Sequence, residues 1–375
     1  MTMHVAVSGW LLGPPSGANR RLLSLLAHTG TQLAPGERIT VLHRPDFTPP
    51  QLPRIEWRSV RIPGAPPWRR VLAERRLLPG CLRELGASLC DHGFLPLPDL
   101  PVPVCLLLHD LRASEGFTRW PRWLALSVLR RSCARAAAVV VPSNWTAQRL
   151  RTLAPGTAPR VVHNGVELPA PSPRSLPESP PGPLPPRGYL LHVGHLEARK
   201  NLALLVQALA CVPIGERPEL WLAGRDAGER SRLEGLAARL QCGAFVRLLG
   251  VVADRELDAL YGHARAVVVP SVYEGFGLCA LEGLAHGRPV LASQATSLPE
   301  VVGTAGQLLP PHDVQAWAAA IGATRSDDSA AAARRRAQAA RFGWREAAAA
   351  LLETWRLCHA GRGSAPGGLA ASVRP

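Results

Sequence analysis

Glu274 and Glu282 stand eight positions apart, with Gly275 and Gly277 between them and the apolar run Ala-Val-Val-Val-Pro just upstream. Fully helical, that separation spans at most about 12 Å. Two carboxylates so placed suit either of two chemistries. Glycoside hydrolysis needs an acid and a base or nucleophile flanking one bond. The other is the gripping of an extended sugar–diphosphate–nucleoside at its opposite ends. The loop favours the second, because Gly275 and Gly277 let backbone approach a ligand and the amides opening the next helix suit a phosphate. Glu282, about one turn inside that helix, would accept hydrogen bonds from ribose hydroxyls. For either glutamate alone, solvation on a surface helix is the plain alternative.

Cations stand in similar places. Arg199 and Lys200 follow a strand pattern and the turn at Gly194 and His195, and they open a helical pattern. Lys200 is the clearest phosphate-binding lysine, although an Arg-Lys pair taken alone is more often a solvated charge pair. Arg225 follows another strand, where an exposed loop arginine reads nearly as well. In the first half of the chain, His109 follows a strand pattern at 104–108. A glycine-containing loop at 13–20, with Ser16, Gly17 and Asn19 in its expected turn, separates the first strand from the first helix.

The elements that must position these groups alternate throughout. Strand patterns at 4–8, 39–42, 104–108, 138–141, 161–162, 189–193, 220–223, 246–249, 266–269 and 290–292 are rich in Val and Leu without polar alternation. That is expected of parallel strands buried on both faces. Helical patterns lie between them, at 19–28, 120–135, 146–153, 202–211, 229–240, 255–263 and 278–286. Together they predict doubly wound α/β sheets, whose ligands bind beyond the carboxyl ends of the strands. The proline run between 169 and 188 cannot pair in a sheet and reads as a semi-rigid linker. The expected division is therefore a first domain at 1–168, that linker, a second domain at 189–343, a helix at 344–360 and a loose tail at 361–375. Residues 48–80, rich in Pro, Arg and Trp, read as a surface excursion of the first domain.

The sequence Glu274-Gly275-Phe276-Gly277-Leu278 continues into Leu281-Glu282-Gly283, Gly287-Arg288-Pro289-Val290 and Ser297-Leu298-Pro299-Glu300-Val301. This series resembles the retaining GT-B glycosyltransferases of family four, mannosyltransferase-like members included, with their E-x7-E motif. Val193 to Asn201 is similar to the family's donor-phosphate loop. His163-Asn164-Gly165-Val166, Val141-Pro142-Ser143-Asn144-Trp145 and Leu108-His109-Asp110 also stand where the family's pattern has them. The resemblance implies two Rossmann-like domains facing across a cleft, with the C-terminal helix crossing back to the first. It implies that Glu274 contacts donor-sugar hydroxyls, that Glu282 binds the ribose and that backbone at 276–278 supports sugar and phosphates. Arg199 and Lys200 would neutralise the diphosphate, with Gly194, His195 and Arg225 beside it. His109 would meet the donor sugar near the reacting centre, and the Ser16–Asn19 segment would lie on the acceptor side. The implied chemistry is metal-independent and uses no cofactor. His195 stands where many members carry arginine, Cys279 where proline is usual and Gly283 where alanine is common.

Composition narrows the partners without choosing among them. The 375 residues carry 43 Lys and Arg against 28 Asp and Glu, a formal charge of +15. Such a field favours nucleotides, phosphorylated lipids, acidic membranes or nucleic acid. The eight cysteines show no C-x-x-C spacing and read as buried free thiols. The first residues run into a core strand instead of a signal-peptide pattern. The expected location is the cytoplasm, with attachment to a membrane only at its inner surface. The expected partners are a nucleotide-sugar donor, GDP-mannose or a UDP-sugar, and a glycan, lipid-linked or small-molecule acceptor. Nucleic acid is not expected. Two rivals remain: another GT-B activity such as a phosphorylase or sugar-phosphate synthase, and a noncatalytic carbohydrate- or nucleic-acid-binding protein.

Overall fold

The computed structural model describes residues 2–10, 12–13, 17–117, 121–169, 184–324 and 329–361. The chain forms two compact units, Met1–His163 with Trp344–Pro375, and Asn164–Gly343.

The first unit's strands are β1 (His4–Ser8), β2 (Arg38–His43), β3 (Ile55–Ser59), β4 (Leu89–His92), β5 (Val104–Leu107), β6 (Ala138–Val141) and β7 (Arg160–Val161). All pair in parallel, in the order β3-β2-β1-β4-β5-β6-β7. Alternate strand residues face two cores. Ala6, Leu42, Cys90, Leu106 and Val141 pack with α2 (Pro67–Leu85), α3 (Arg122–Arg135) and α4 (Asn144–Leu153). Val5, Val41, Leu89, Cys105 and Leu107 pack with α1 (Gly17–Thr31) and α12 (Trp344–Ala360). The C-terminal helix is therefore part of the first unit. Its buried Trp355 donates from Nε1 to Asp91 Oδ2 at 2.8 Å. Arg356 on the same helix pairs with Glu37 at 2.8 Å.

The second unit's strands are β8 (Tyr189–Val193), β9 (Glu219–Ala223), β10 (Val246–Gly250), β11 (Ala266–Val269), β12 (Val290–Ser293) and β13 (Gln307–Leu309). They are also parallel, in the order β10-β9-β8-β11-β12-β13. Strand order reverses between β8 and β11, the switch point at which open α/β sheets bind ligands. The helices α5 (Leu202–Cys211), α6 (Arg230–Arg239) and α10 (Val314–Ala323) supply one face. The other face is supplied by α7 (Asp254–His263), α8 (Leu278–Ala285), α9 (Leu298–Val302) and α11 (Ser329–Ala339).

Three expectations change. Residues 48–80 are no excursion: they hold the edge strand β3 and most of α2, whose first turn uses Pro67 where a helix needs no N–H. Gly17 and Asn19 do not form a turn but open α1, while Ser16 lies outside the described residues. Residues 164–168 go with the second unit, where the Val166 N–H donates to the Phe342 carbonyl at 2.9 Å. Most of the expected linker, 170–183, and the tail beyond 361 lie outside the described residues. Cys90, Cys105, Cys133, Cys242, Cys279 and Cys358 are buried free thiols, whereas Cys211 is exposed.

Candidate active site

The second unit gathers its charged groups at the carboxyl ends of β8 and β11. After β8 the chain turns through Gly194 and His195 into one 3-10 turn, Ala198–Lys200, before α5. After β11 it runs Pro270-Ser271-Val272-Tyr273-Glu274 and enters α8 through Gly277. The two loops are stitched together, since the Val272 N–H donates to the Arg199 carbonyl at 2.9 Å. Arg199 donates in return to the Tyr273 carbonyl at 2.9 Å.

Glu274 is the hub of this stitch. Its Oε1 accepts from Lys200 Nζ at 2.6 Å and from Ser271 Oγ at 2.8 Å, and its Oε2 accepts from Arg199 at 3.1 Å. Arg199 is oriented from its far side by Glu197 at 2.5 Å. The loop backbone is fixed by β12's exit, where Thr296 accepts from the Glu274 N–H and Ser297 donates to the Glu274 carbonyl. Glu274 and Lys200 are 7% and 9% exposed. Burial by itself would raise the Glu274 carboxyl. Lys200 and Arg199, with the hydrogen bonds from Lys200 and Ser271, reverse that and hold it down at about 2. An ionised carboxylate and two cations thus lie where β8 and β11 end.

Glu282, one turn into α8 and also buried, makes a different contact. Its Oε2 accepts from the Tyr261 hydroxyl at 2.6 Å. Tyr261 comes from α7 and stacks on His286, ring centroids 5.1 Å apart. His286 donates from Nδ1 to the Glu282 carbonyl at 2.8 Å. Burial keeps the tyrosine hydroxyl protonated well above its usual range, so it donates to the carboxylate.

The remaining second-unit candidates divide by exposure. Gly275, Phe276 and Gly277 are buried, and Leu278 is half-buried. Phe276 meets Phe342 edge-on at 5.7 Å, so its ring serves the core. Gly277 sits at φ 104°, and a Cβ there would fall 2.7 Å from Leu298. Arg225 is exposed just past β9. His195 is held low first by burial and then by the nearby Arg225 charge, and the two loops meet where the Leu196 N–H donates to the Arg225 carbonyl at 2.9 Å.

In the first unit, His109 lies just beyond β5, half-buried, against Gly93 after β4. Burial, then the charges of Arg21 and Arg112, push its pKa down to about 3. Its imidazole is therefore neutral across ordinary pH. The buried Arg21, on α1, donates to the Val162 carbonyl at 3.0 Å.

Two family models match the chain in succession. Glycosyltransferase Family 4 covers residues 16–169, and glycosyl transferases group 1 covers 187–327. The chain belongs to the family 4, group 1 glycosyltransferases. Within the family it is similar to the O-antigen chain mannosyltransferase B of Escherichia coli, 42% identical over 176 residues, which is 46% of each chain. It is 39% identical over 174 residues to a D-inositol 3-phosphate glycosyltransferase of Xylanimonas cellulosilytica, 44% of this chain and 41% of that one. The matches thus span less than half the length of these relatives. Among solved structures, sucrose-phosphate synthase from Thermosynechococcus elongatus aligns over 96% of this chain and 100% of its own, with a TM-score of 0.77 at 22% identity. The shared fold is GT-B.

The departures from the glycosyltransferase pattern have local reasons. Cys279, where proline is usual, is buried and accepts from the Val193 N–H at the end of β8, 3.4 Å away. Gly283, where alanine is common, lets α8 lie close on β11 and β12, since a Cβ there would come within 2.8 Å of Val267. Sequence reasoning missed Tyr261, Ser271, Glu197 and Thr296. The signal for Tyr261 was a tyrosine on the buried stripe of α7 beside Leu257 and Leu260. Nothing in the sequence itself linked it to a glutamate twenty-one positions later.

Proposed function

We propose that this chain transfers a hexose from a nucleotide-diphosphate sugar to a hydroxyl of a glycan or lipid-linked acceptor, retaining anomeric configuration. The observation that carries the reading is the meeting of Lys200, Arg199 and ionised Glu274 at the β8–β11 switch point. Lys200 and Arg199 would take the diphosphate and Glu274 the sugar hydroxyls, with Glu282 on the ribose. Gly194, His195 and Arg225 line the phosphate side, and the backbone of Gly275, Phe276, Gly277 and Leu278 supports sugar and phosphates. When the bond from the anomeric carbon to the diphosphate breaks, charge grows on the leaving oxygen, where fixed cations act most strongly. The acceptor oxygen bonds to the same carbon from the same face, and its proton passes to the departing diphosphate. The neutral His109 would contact the sugar as a hydrogen-bonding group, with Gly17 and Asn19 toward the acceptor.

GDP-mannose is the first donor to test, supported by the match to a mannosyltransferase, with UDP-sugars next. The same chain would act at the cytoplasmic face of a membrane if its acceptor is lipid-linked. A screen of sugar nucleotides, with mass detection of the released nucleotide, tests the proposal directly. Release of GDP from GDP-mannose, lost in Glu274→Ala, is expected. Binding of glycan or nucleic acid with no turnover of any sugar nucleotide would overturn the enzyme reading in favour of a noncatalytic binder.

A further inference from the structure

Helix α2 in the first unit takes no part in the sites above, and its surface is unusual. Trp68, Leu72, Arg75, Arg76, Pro79 and Arg83 follow one another at i, i+4, i+7, i+8, i+11 and i+15, which places them in one stripe. The opposite stripe, Arg70, Glu74, Leu78 and Leu82, is buried against the sheet. Trp68 and Leu72 are 63% and 44% exposed, and Arg69, Arg75, Arg76 and Arg83 are exposed with them. The helix's two carboxylates are both engaged elsewhere: Glu74 is buried with Arg70, and Glu84 pairs with Arg58. Among the described residues, none of these four exposed arginines makes an ion pair. The guanidinium of Arg69 lies over the Trp68 ring at 5.2 Å. On the same face of the sheet, α3 opens with Trp123, which is 71% exposed.

Single exposed apolar residues are ordinary on any surface. A tryptophan and a leucine set among four arginines, with no acid between them, form a more particular combination. Water solvates the arginines well but gains nothing from the indole. A polyanion alone would use the arginines and leave Trp68 and Leu72 idle. An anionic bilayer uses both, because indole rings settle at the headgroup level and basic side chains meet the lipid phosphates. No described helix is long and apolar enough to cross a membrane, so contact through this stripe would be peripheral. We infer that the outer stripe of α2 is the surface by which this protein docks on an anionic lipid bilayer, with α2 lying in the interface plane. The inference is independent of which sugar is transferred.

The test is co-sedimentation of the full chain with vesicles of phosphatidylcholine alone and of phosphatidylcholine with one-third phosphatidylglycerol. The wild type should partition onto the anionic vesicles only, and less so at high salt. Arg75→Gln with Arg76→Gln should lower partitioning by about 25-fold, at roughly fivefold per arginine. Trp68→Ser should weaken it at every salt concentration. Nucleotide affinity should be unchanged in both, which also shows that the variants are folded. Equal binding to both vesicle types, binding to neither, or full retention by these variants would overturn the assignment. So would a loss confined to binding of duplex DNA, which would mark the stripe as a nucleic-acid surface.

Discussion

Lys200 Nζ lies 2.6 Å from Glu274 Oε1, so the residue proposed to neutralise the donor's diphosphate is tied to the residue proposed to hold its sugar. Arg199 makes the second half of the clamp at 3.1 Å. A diphosphate entering here brings negative charge to cations already paired. On the proposed reading, the donor would share or displace Glu274 as it binds, leaving that carboxylate beside the sugar. Removing Lys200 takes away one anchor of Glu274 and would, on the proposed reading, also remove the fixed charge for the leaving group. Lys200→Ala is expected to lower kcat by about 10²–10³-fold, as loss of one preorganised donor does elsewhere. Steady-state kinetics with the best donor from the screen would measure it, and an unchanged kcat would remove Lys200 from the reacting centre.

The same clamp should appear in the acid stability of the protein. Glu274 titrates at about 2 in the folded chain, below the usual glutamate value of about 4.3. Its contribution to stability is therefore complete above about pH 4.3 and is lost as pH falls toward 2. In denaturant titrations at a series of pH values, Glu274→Gln should lose less stability than the wild type between pH 5 and pH 2.5. Parallel curves for the two proteins would show that the clamp contributes nothing.

Tyr261 is expected to act on the nucleotide through Glu282. A carboxylate has capacity for about four hydrogen bonds, so the tyrosine can fix its direction and leave acceptor positions for ribose hydroxyls. Tyr261→Phe should weaken nucleotide diphosphate binding by about tenfold, the effect of one lost hydrogen bond, with little change in kcat. It should also narrow the preference for the ribonucleotide over its 2′-deoxy analogue in calorimetric titration. If Glu282→Gln narrows that preference and Tyr261→Phe does not, Tyr261 serves only the core.

Trp355→Phe tests the docking of the last helix. The indole N–H donates to the buried Asp91, whose pKa burial pushes up to about 6 against the pull of Trp355 and Arg21. Phenylalanine keeps most of the ring packing and deletes the donor. A loss of about 1–3 kcal/mol in unfolding free energy is expected, the usual cost of stripping a partner from a buried polar group. Chemical denaturation at pH 7 would give it directly.

The parts of the fold that were legible in the sequence are those whose physics is local. β1, β6, β8, β11 and β12 are short Val-, Leu- and Ala-rich runs buried on both faces, and they read almost to the residue. β4 did not, because Asp91 and His92 make it look polar; the structure gives each a buried partner, Trp355 and Ser8, far away in sequence. α2 was hidden by Pro66, Pro67, Pro79 and Gly80, residues that resist helix formation unless the first prolines sit at a helix start. α11, a run of alanines and arginines, carries little apolar periodicity and is recruited by packing on α8. In the site, Glu274, Glu282, Arg199 and Lys200 stood out because chemistry restricts both their type and their spacing. Tyr261 did not, since its partner lies two elements away and only tertiary contact joins them.

The residence of α12 in the first unit has a consequence for biogenesis. A ribosome delivers residues 164–343 as one uninterrupted stretch, so the second unit can complete its sheet as soon as that stretch emerges. The first unit cannot. Its seven strands are all made by residue 161, but Leu351, Leu352 and Trp355 complete the core on the α1 side of its sheet. That apolar face and the carboxyl group of Asp91 therefore wait for the final helix through synthesis of the whole second unit. A chain stopped before residue 344 would hold a finished second unit beside a first one whose core is open along one side.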